Sequence, residues 1–277
     1  MMPKRCDGVQ VKDLEPLMKI IPYIMYDRND ALNYNYEEVD CSVLDEYIKN
    51  YTRSQLSYMH ILIATFIRTM HKFPELNRFI VNGKLYQRDK VTMSFNVHRS
   101  LRGETCETVL KIAFTGTETI AQVAEALDQA IAENTALGES NDTDDLAKVI
   151  MAIPPFLYKP AVRFLMWMDR HNILPKDIIE ASPFHTSFYI TNLKSLGIGT
   201  VLHHIYNFGT CSQFVSMGKE RYIPVVDGKD HITIKKMLQL GLTTDERICD
   251  GLYFARAVRY MKKLLAHPEM LENEIES

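Results

Sequence analysis

The chain has 277 residues, 46% of them apolar and 24% charged, the balance of a folded protein and not of a disordered or fibrous one. Its 32 basic and 35 acidic side chains give a formal net charge of −3, so no basic excess exists to bind a phosphate backbone, and a general nucleic-acid binder is not expected. Five cysteines (Cys6, Cys41, Cys106, Cys211, Cys249) are scattered and odd in number, without a Cys-x-x-Cys pair, which fits a reducing cytoplasm rather than a disulfide framework or a metal site. The N-terminus lacks the apolar core of a signal peptide, and no run is long and apolar enough for a membrane span.

In chain order, Leu56, Met59, Leu62, Ile63, Phe66, Ile67, Met70 and Phe73 recur at spacings of three and four, which predicts a helix with one apolar stripe, stopped by Pro74. Asn82-Gly83 between Phe79–Val81 and Lys84–Tyr86 predicts a tight hairpin, because both turn positions need positive φ. Alternation at Val91, Met93, Phe95 and Val97, and again at Leu110, Ile112 and Phe114, predicts two half-buried strands. Thr117 is a candidate cap for a helix whose inner face is Ile120, Val123, Ala124, Leu127 and Ile131.

Gly138 to Asp145 is polar and turn-rich, an expected exposed loop. The segment Ile153 to Leu174 follows, with Phe156, Leu157, Phe164, Leu165, Trp167 and Met168 apolar and Lys159, Arg163, Asp169 and Arg170 interspersed. It reads as a hydrophobic lid or interfacial helix, or as a core helix or subunit contact. Strands are expected at Ser187–Thr191 and Gln213–Met217, then a hairpin at Asp227-Gly228. Ile232, Ile234, Leu238, Leu240 and Leu242 share one face of a long strand, and a last helix spans about Gly251 to Leu265. Strands and helices interleave without a strict alternation and without a Gly-rich phosphate loop, which points to a mixed sheet with packed helices.

The chemistry concentrates in Leu242-Thr-Thr-Asp-Glu-Arg-Ile-Cys-Asp-Gly-Leu-Tyr-Phe-Ala-Arg256. This run resembles the His-x-x-x-Asp-Gly signature of the CoA-dependent acyltransferase superfamily, which includes chloramphenicol acetyltransferases and the catalytic domains of 2-oxoacid dehydrogenase acyltransferases. Asp245-Glu246-Arg247 stands where the latter read Asp-His-Arg, and Ile248-Cys249-Asp250-Gly251 echoes the former. Ser187-Phe-Tyr-Ile-Thr-Asn-Leu193 is similar to a second family strand, and Phe214-Val-Ser-Met-Gly-Lys219 to the one after it. The resemblance runs from about Pro16 to Leu265. It implies an α/β fold, a chloramphenicol acetyltransferase-like two-layer sandwich with a mixed β-sheet and packed helices.

It further implies one acyltransferase-like catalytic domain over residues 1–277, expanded at about 138–180, with no lipoyl or peripheral-subunit-binding domain. The implied partners are acyl-CoA as a substrate rather than a permanent cofactor, a small acceptor that is hydrophobic on the lid reading, and two further copies in a homotrimer with its sites between subunits. No metal is implied.

By the same resemblance, the family histidine takes the proton of the attacking thiol or hydroxyl, a role suited to imidazole. Glu246 occupies that position, and a carboxylate, with a reference pKa of about 4.3, is a weak base unless desolvated. Three readings follow: a retuned general base, an inactive relative kept for binding or assembly, or a site whose base is His203 or His204. Thr191 aligns with the hydroxyl that supports the oxyanion, although a β-branched residue also simply suits a strand. Lys219 and Ser216 are the CoA-binding candidates. Asp250, Gly251 and Arg247 are structural, with Lys19 the expected partner of Asp250 and a helix N-cap its other role. Cys249 reads as small-residue packing.

Overall fold

The structure is a computed structural model that describes residues 4–101, 104–135, 151–228 and 230–273. The stretch Gly138–Asp145 lies outside them. Its main sheet runs in the order β2 (Leu32–Asp40), β10 (His231–Asp245), β8 (Gln213–Met217), β7 (Phe188–Asn192), β5 (Val91–Leu101) and β6 (Glu104–Phe114), and β9 (Arg221–Asp227) adds to β10. The sheet is mixed: β7 is parallel to β5 and β8, while β10 is antiparallel to β2, β8 and β9. A small second sheet joins β1 (Val9–Gln10), β4 (Lys84–Gln87) and β3 (Arg78–Val81). The expected mixed α/β architecture is therefore present.

One face of the main sheet is apolar at every second residue, with Met93, Phe95, Ile190, Val215, Leu240 and Leu242 buried there. It packs against α2 (Cys41–Asn50), α3 (Tyr58–Lys72), α4 (Ile120–Thr135) and the last helix, α7 (Gly251–Ala266). The expected single stripe on α3 is an underestimate, because twelve of its 15 residues are buried and the helix is enclosed on all sides. Arg68 is tolerated there because its guanidinium donates to the carbonyls of Glu118, Met270 and Asn273. Ser57 and His60 close a reciprocal cap at its start. On α4 the cap is Thr119 rather than Thr117: its hydroxyl accepts from the Gln122 N–H, and the Gln122 side chain accepts from the Thr119 N–H.

The expected hairpin forms, with φ of +49° at Asn82 and +70° at Gly83. Gly83 also serves packing, because a Cβ there would meet the Tyr23 ring at 2.7 Å. That contact seats α1 (Pro16–Ile24) beside the hairpin. At the other end, β10 extends past the helical layer. Leu238, Leu240 and Leu242 are buried, whereas Ile232 and Ile234, on the same face, are exposed together with Tyr222 and Val226 of β9.

The middle segment forms α5 (Tyr158–Arg170), followed by α6 (Lys176–Ala181). It is not a core helix. Phe164 and Trp167 stack on each other at 5.9 Å and stay exposed, and the buried residue of α5 is Asp169. The Arg5 guanidinium donates to Asp169 at 2.8 Å and to Asp7 at 2.7 Å, and His185 Nε2 lies 3.4 Å from Asp169. Ions rather than an apolar face hold this helix down. Among the described residues no helix is long and apolar enough to cross a membrane.

Candidate active site

The loop that leaves β10 is held by charge. Asp245 is fully buried and takes a two-pronged hydrogen bond from Arg247, at 2.8 and 2.7 Å, with the Arg28 guanidinium 3.6 Å away. Two cations face one anion, and the rest of their hydrogen-bonding capacity goes to the backbone. Arg247 donates to the carbonyls of Met25 and Tyr26, and Arg28 to those of Tyr206 and Gly209. Burial still lowers the Arg28 pKa, despite Asp245. The clamp therefore joins the end of α1, the start of β2, the 206–209 loop and the 245–247 loop.

Glu246 sits inside this clamp with the opposite character. Its N–H donates to the Ala31 carbonyl at 2.9 Å, so its backbone is fixed on both sides. Its side chain is exposed and forms no ion pair or hydrogen bond among the described residues. It lines a cavity of about 570 Å³. One wall is α1 and its flanks, with Leu14, Leu17, Met18, Ile21 and Met25; the other is the start of α7, with Asp250, Gly251 and Phe254. Asp13, Glu15 and Glu75 add carboxylates, and Arg78 answers Glu75 at 3.0 Å. Cys249 is buried in the wall, and burial above all pushes its thiol up to about 12, so it is a packing group and not a nucleophile.

The other residues singled out in the sequence are spread over the molecule. Asp250 caps α7 by accepting from the Tyr253 N–H at 2.8 Å. Among the described residues it makes no ion pair with Lys19, which is exposed; in this loop the carboxylate that pairs with arginine is Asp245. Gly251 opens α7, where open space surrounds it and a side chain would fit, so sterics give it no structural role.

Thr191, Ser216 and the two histidines lie on the sheet face opposite the helices. Thr191 pairs with Ser216, which pairs with Gly241, and Glu246 is about 15 Å further along the strand. The structure therefore does not bring Thr191 and Glu246 together within one chain. Ser216 is not free to bind a ligand: its hydroxyl bonds the Val201 carbonyl and the Thr200 hydroxyl. Those contacts press the 198–204 segment onto the sheet over Gly241, where a Cβ would meet the Val201 carbonyl at 2.5 Å.

The His203 ring stacks on Phe214 at 4.1 Å and its Nδ1 lies 2.6 Å from the His204 carbonyl. Neither histidine is among the residues that line the Glu246 cavity. Lys219 is exposed without a partner among the described residues.

Sequence reasoning missed Arg28 and Asp245. Asp245-x-Arg247 was a readable signal, since two residues flanking a site residue with opposite charges can close on each other. It also missed the second buried cluster. Its Ser182, His185 and Asp169 have the composition of a hydrolase relay, with Ser182 Oγ 2.8 Å from His185 Nδ1, but all three are buried and Arg5 occupies Asp169.

Residues 181–272 match the family model of the 2-oxoacid dehydrogenases acyltransferase (catalytic domain). Among solved structures, a probable dihydrolipoamide acetyltransferase from Listeria monocytogenes 4b F2365 superposes with a TM-score of 0.58 at 17% identity, covering 98% of each chain. The Azotobacter vinelandii dihydrolipoamide acetyltransferase, studied for the role of a serine, a histidine and an asparagine in its catalytic mechanism, gives 0.56 at 18% identity over 95% of this chain and 93% of that one. A chloramphenicol acetyltransferase gives 0.54 at 10% identity over 93% and 99%. No curated protein matches the chain.

Proposed function

We propose that this chain, whose fold is that of the CoA-dependent acyltransferase superfamily, moves an acyl group from a CoA thioester to a thiol, hydroxyl or amine acceptor, with Glu246 in the place of the family histidine. The observation that carries the reading is the contrast at the loop after β10. Asp245 and Arg247 are spent on holding the backbone, and between them one carboxylate faces a ligand-sized cavity with no partner of its own. The Azotobacter enzyme was studied for the role of a histidine and, four residues on, an asparagine; Glu246 and Asp250 have that spacing here.

In this reading the donor carbonyl meets the acceptor in the cavity, and Glu246 accepts the proton that the acceptor sheds. Closing the cavity over Glu246, by substrate and a neighbouring copy, takes the carboxylate out of water, the condition under which a carboxylate becomes a competent base. Thr191 would steady the oxyanion. Because it lies far from Glu246 in its own chain, that role requires the Thr191 of another copy, in keeping with the homotrimer that the family resemblance implies. Lys219, exposed and unpaired, remains available to a CoA phosphate, whereas Ser216 does not.

The exposure of Glu246 in the single chain favours one alternative, an inactive relative that uses the cavity for binding alone. Free-thiol release from a panel of acyl-CoAs separates the two. Release should fall by about 10²–10⁴ in Glu246→Gln if the carboxylate is the base, and rise in Glu246→His. No release with any donor and acceptor defeats the enzyme reading, and unchanged release in Glu246→Gln removes the residue from the mechanism.

A further inference from the structure

The cavity beside Glu246 has walls and a rim of different chemistry. The walls are hydrocarbon: Leu14, Met18, Ile21 and Met25 on the α1 side and Phe254 on the α7 side. The rim carries Asp13, Glu15, Glu246 and Asp250, none in an ion pair among the described residues, while the single lining cation, Arg78, is matched to Glu75. Thr244, only 4% exposed, also lines the cavity, and its hydroxyl has no partner among the described residues. Its hydroxyl is thus available to a ligand with a hydrogen-bonding head.

From these observations we infer that the cavity receives an amphipathic organic cation, a primary amine on a hydrocarbon body, with its ammonium at the Glu246 rim and its hydrocarbon along α1. Four unmatched carboxylates attract a cation and repel an anion, so the CoA phosphates and fatty carboxylates are excluded from this end. The apolar walls favour a hydrocarbon body over a polar one. A volume of about 570 Å³ admits a medium-sized molecule, not a macromolecular segment.

The inference rests on the acyl-transfer reading for the fate of the amine, though not for its binding. An amine carries its own nucleophilic lone pair, whereas a hydroxyl must be deprotonated as it attacks, so a carboxylate is a better match to an amine than to an alcohol. The docked ammonium first gives one proton to water. The nitrogen lone pair then forms the C–N bond at the thioester carbonyl, and the C–S bond breaks with its pair on the CoA sulfur. The surplus proton on nitrogen passes by way of Glu246 to that sulfur, leaving an amide and a free thiol.

Isothermal titration of the full chain with n-octylamine, 1-octanol and octanoate tests the binding. The amine should bind about tenfold more tightly than the alcohol, and octanoate more weakly than either. Glu246→Gln, and separately Asp13→Asn with Glu15→Gln, should each cost the amine about threefold without affecting the alcohol. Glu133→Gln, on the exposed side of α4, should change nothing. Octanoate or octanol binding as tightly as the amine overturns the inference, as does an amine preference that survives all three neutralising substitutions together. Thiol release from acetyl-CoA is the second arm. Binding of octylamine without release defeats its role as acceptor and leaves the cation site standing. Release that is equal with octylamine and octanol defeats the cation site and leaves acyl transfer standing.

Discussion

Two buried charge clusters hold this fold together, and they are built on different arithmetic. At the loop after β10, two arginines close on Asp245, and no histidine takes part. Under α5, Arg5 and His185 converge on Asp169, and Arg5 also holds Asp7. The first sets two guanidiniums and their backbone hydrogen bonds around one carboxylate and frames the loop carrying Glu246. The second contains a histidine that burial pushes below its ordinary 6.5, and it fastens a helix whose aromatic face is exposed. The molecule thus has an arginine-carboxylate frame at the candidate site and a histidine-containing anchor under its middle segment.

Asp245→Asn should break the comparison most forcefully, because it leaves two buried guanidiniums without their anion. A loss of about 3–5 kcal/mol is expected in urea unfolding at pH 7. A loss below about 1 kcal/mol would mean that the backbone carbonyls suffice.

The Asp169 anchor should respond to acid. Burial works against that carboxylate, but His185 and Arg5 outweigh it and hold its pKa down to about 2. Its contribution, about 2 kcal/mol, is complete above the unfolded value of about 3.8 and is lost as pH falls towards the folded one. His185 acts earlier. As pH drops below 6.5, the unfolded chain takes up a proton that the buried ring resists, so stability declines by up to about 1.4 kcal/mol per pH unit. In His185→Gln the stability between pH 6.5 and 5 should lose that slope; an unchanged slope would place the acid response elsewhere.

Ser182→Ala comes next, removing the hydroxyl that faces His185 Nδ1, and should cost about 1 kcal/mol by thermal unfolding. The smallest effect sharpens the first. Glu246→Gln, between the two clamp residues, should leave stability within about 0.5 kcal/mol, because the side chain is exposed and bonds nothing. A larger loss would make Glu246 part of the frame.

The parts of this molecule legible in its sequence are those written in local periods. Alternation located the strands, the three-and-four spacing located α3 and α4, and Asn82-Gly83 located a turn that only positive φ permits. The order of the Thr191, Phe214 and Glu246 blocks pointed to the fold, and the match over residues 181–272 agrees. What stayed hidden has no local period. Arg5, Asp7, Asp169 and His185 meet across most of the chain, and a sequence gives no reason to join them. The family resemblance gave Asp250 an ion pair with Lys19 and, as its other role, a helix N-cap; the cap is what forms, and Asp245 at the strand end is the enclosed carboxylate. The apolar residues of α5 left a lid or interfacial helix and a core helix or subunit contact both open, and an exposed aromatic pair with one buried aspartate speaks against the core helix.

The hairpin of β9 and β10 has a consequence for how this protein avoids itself. Beyond the helical layer, β9 pairs with β10 alone among the described residues, which makes it an edge strand, with Tyr222 and Val226 exposed on it. Such an edge is a template for strands of other molecules. Pro224 lies in the middle of β9, opposite Ile234, and has no N–H to offer. One imino acid there interrupts the row of donors, so the arm can be long and partly greasy without recruiting an endless series of neighbours.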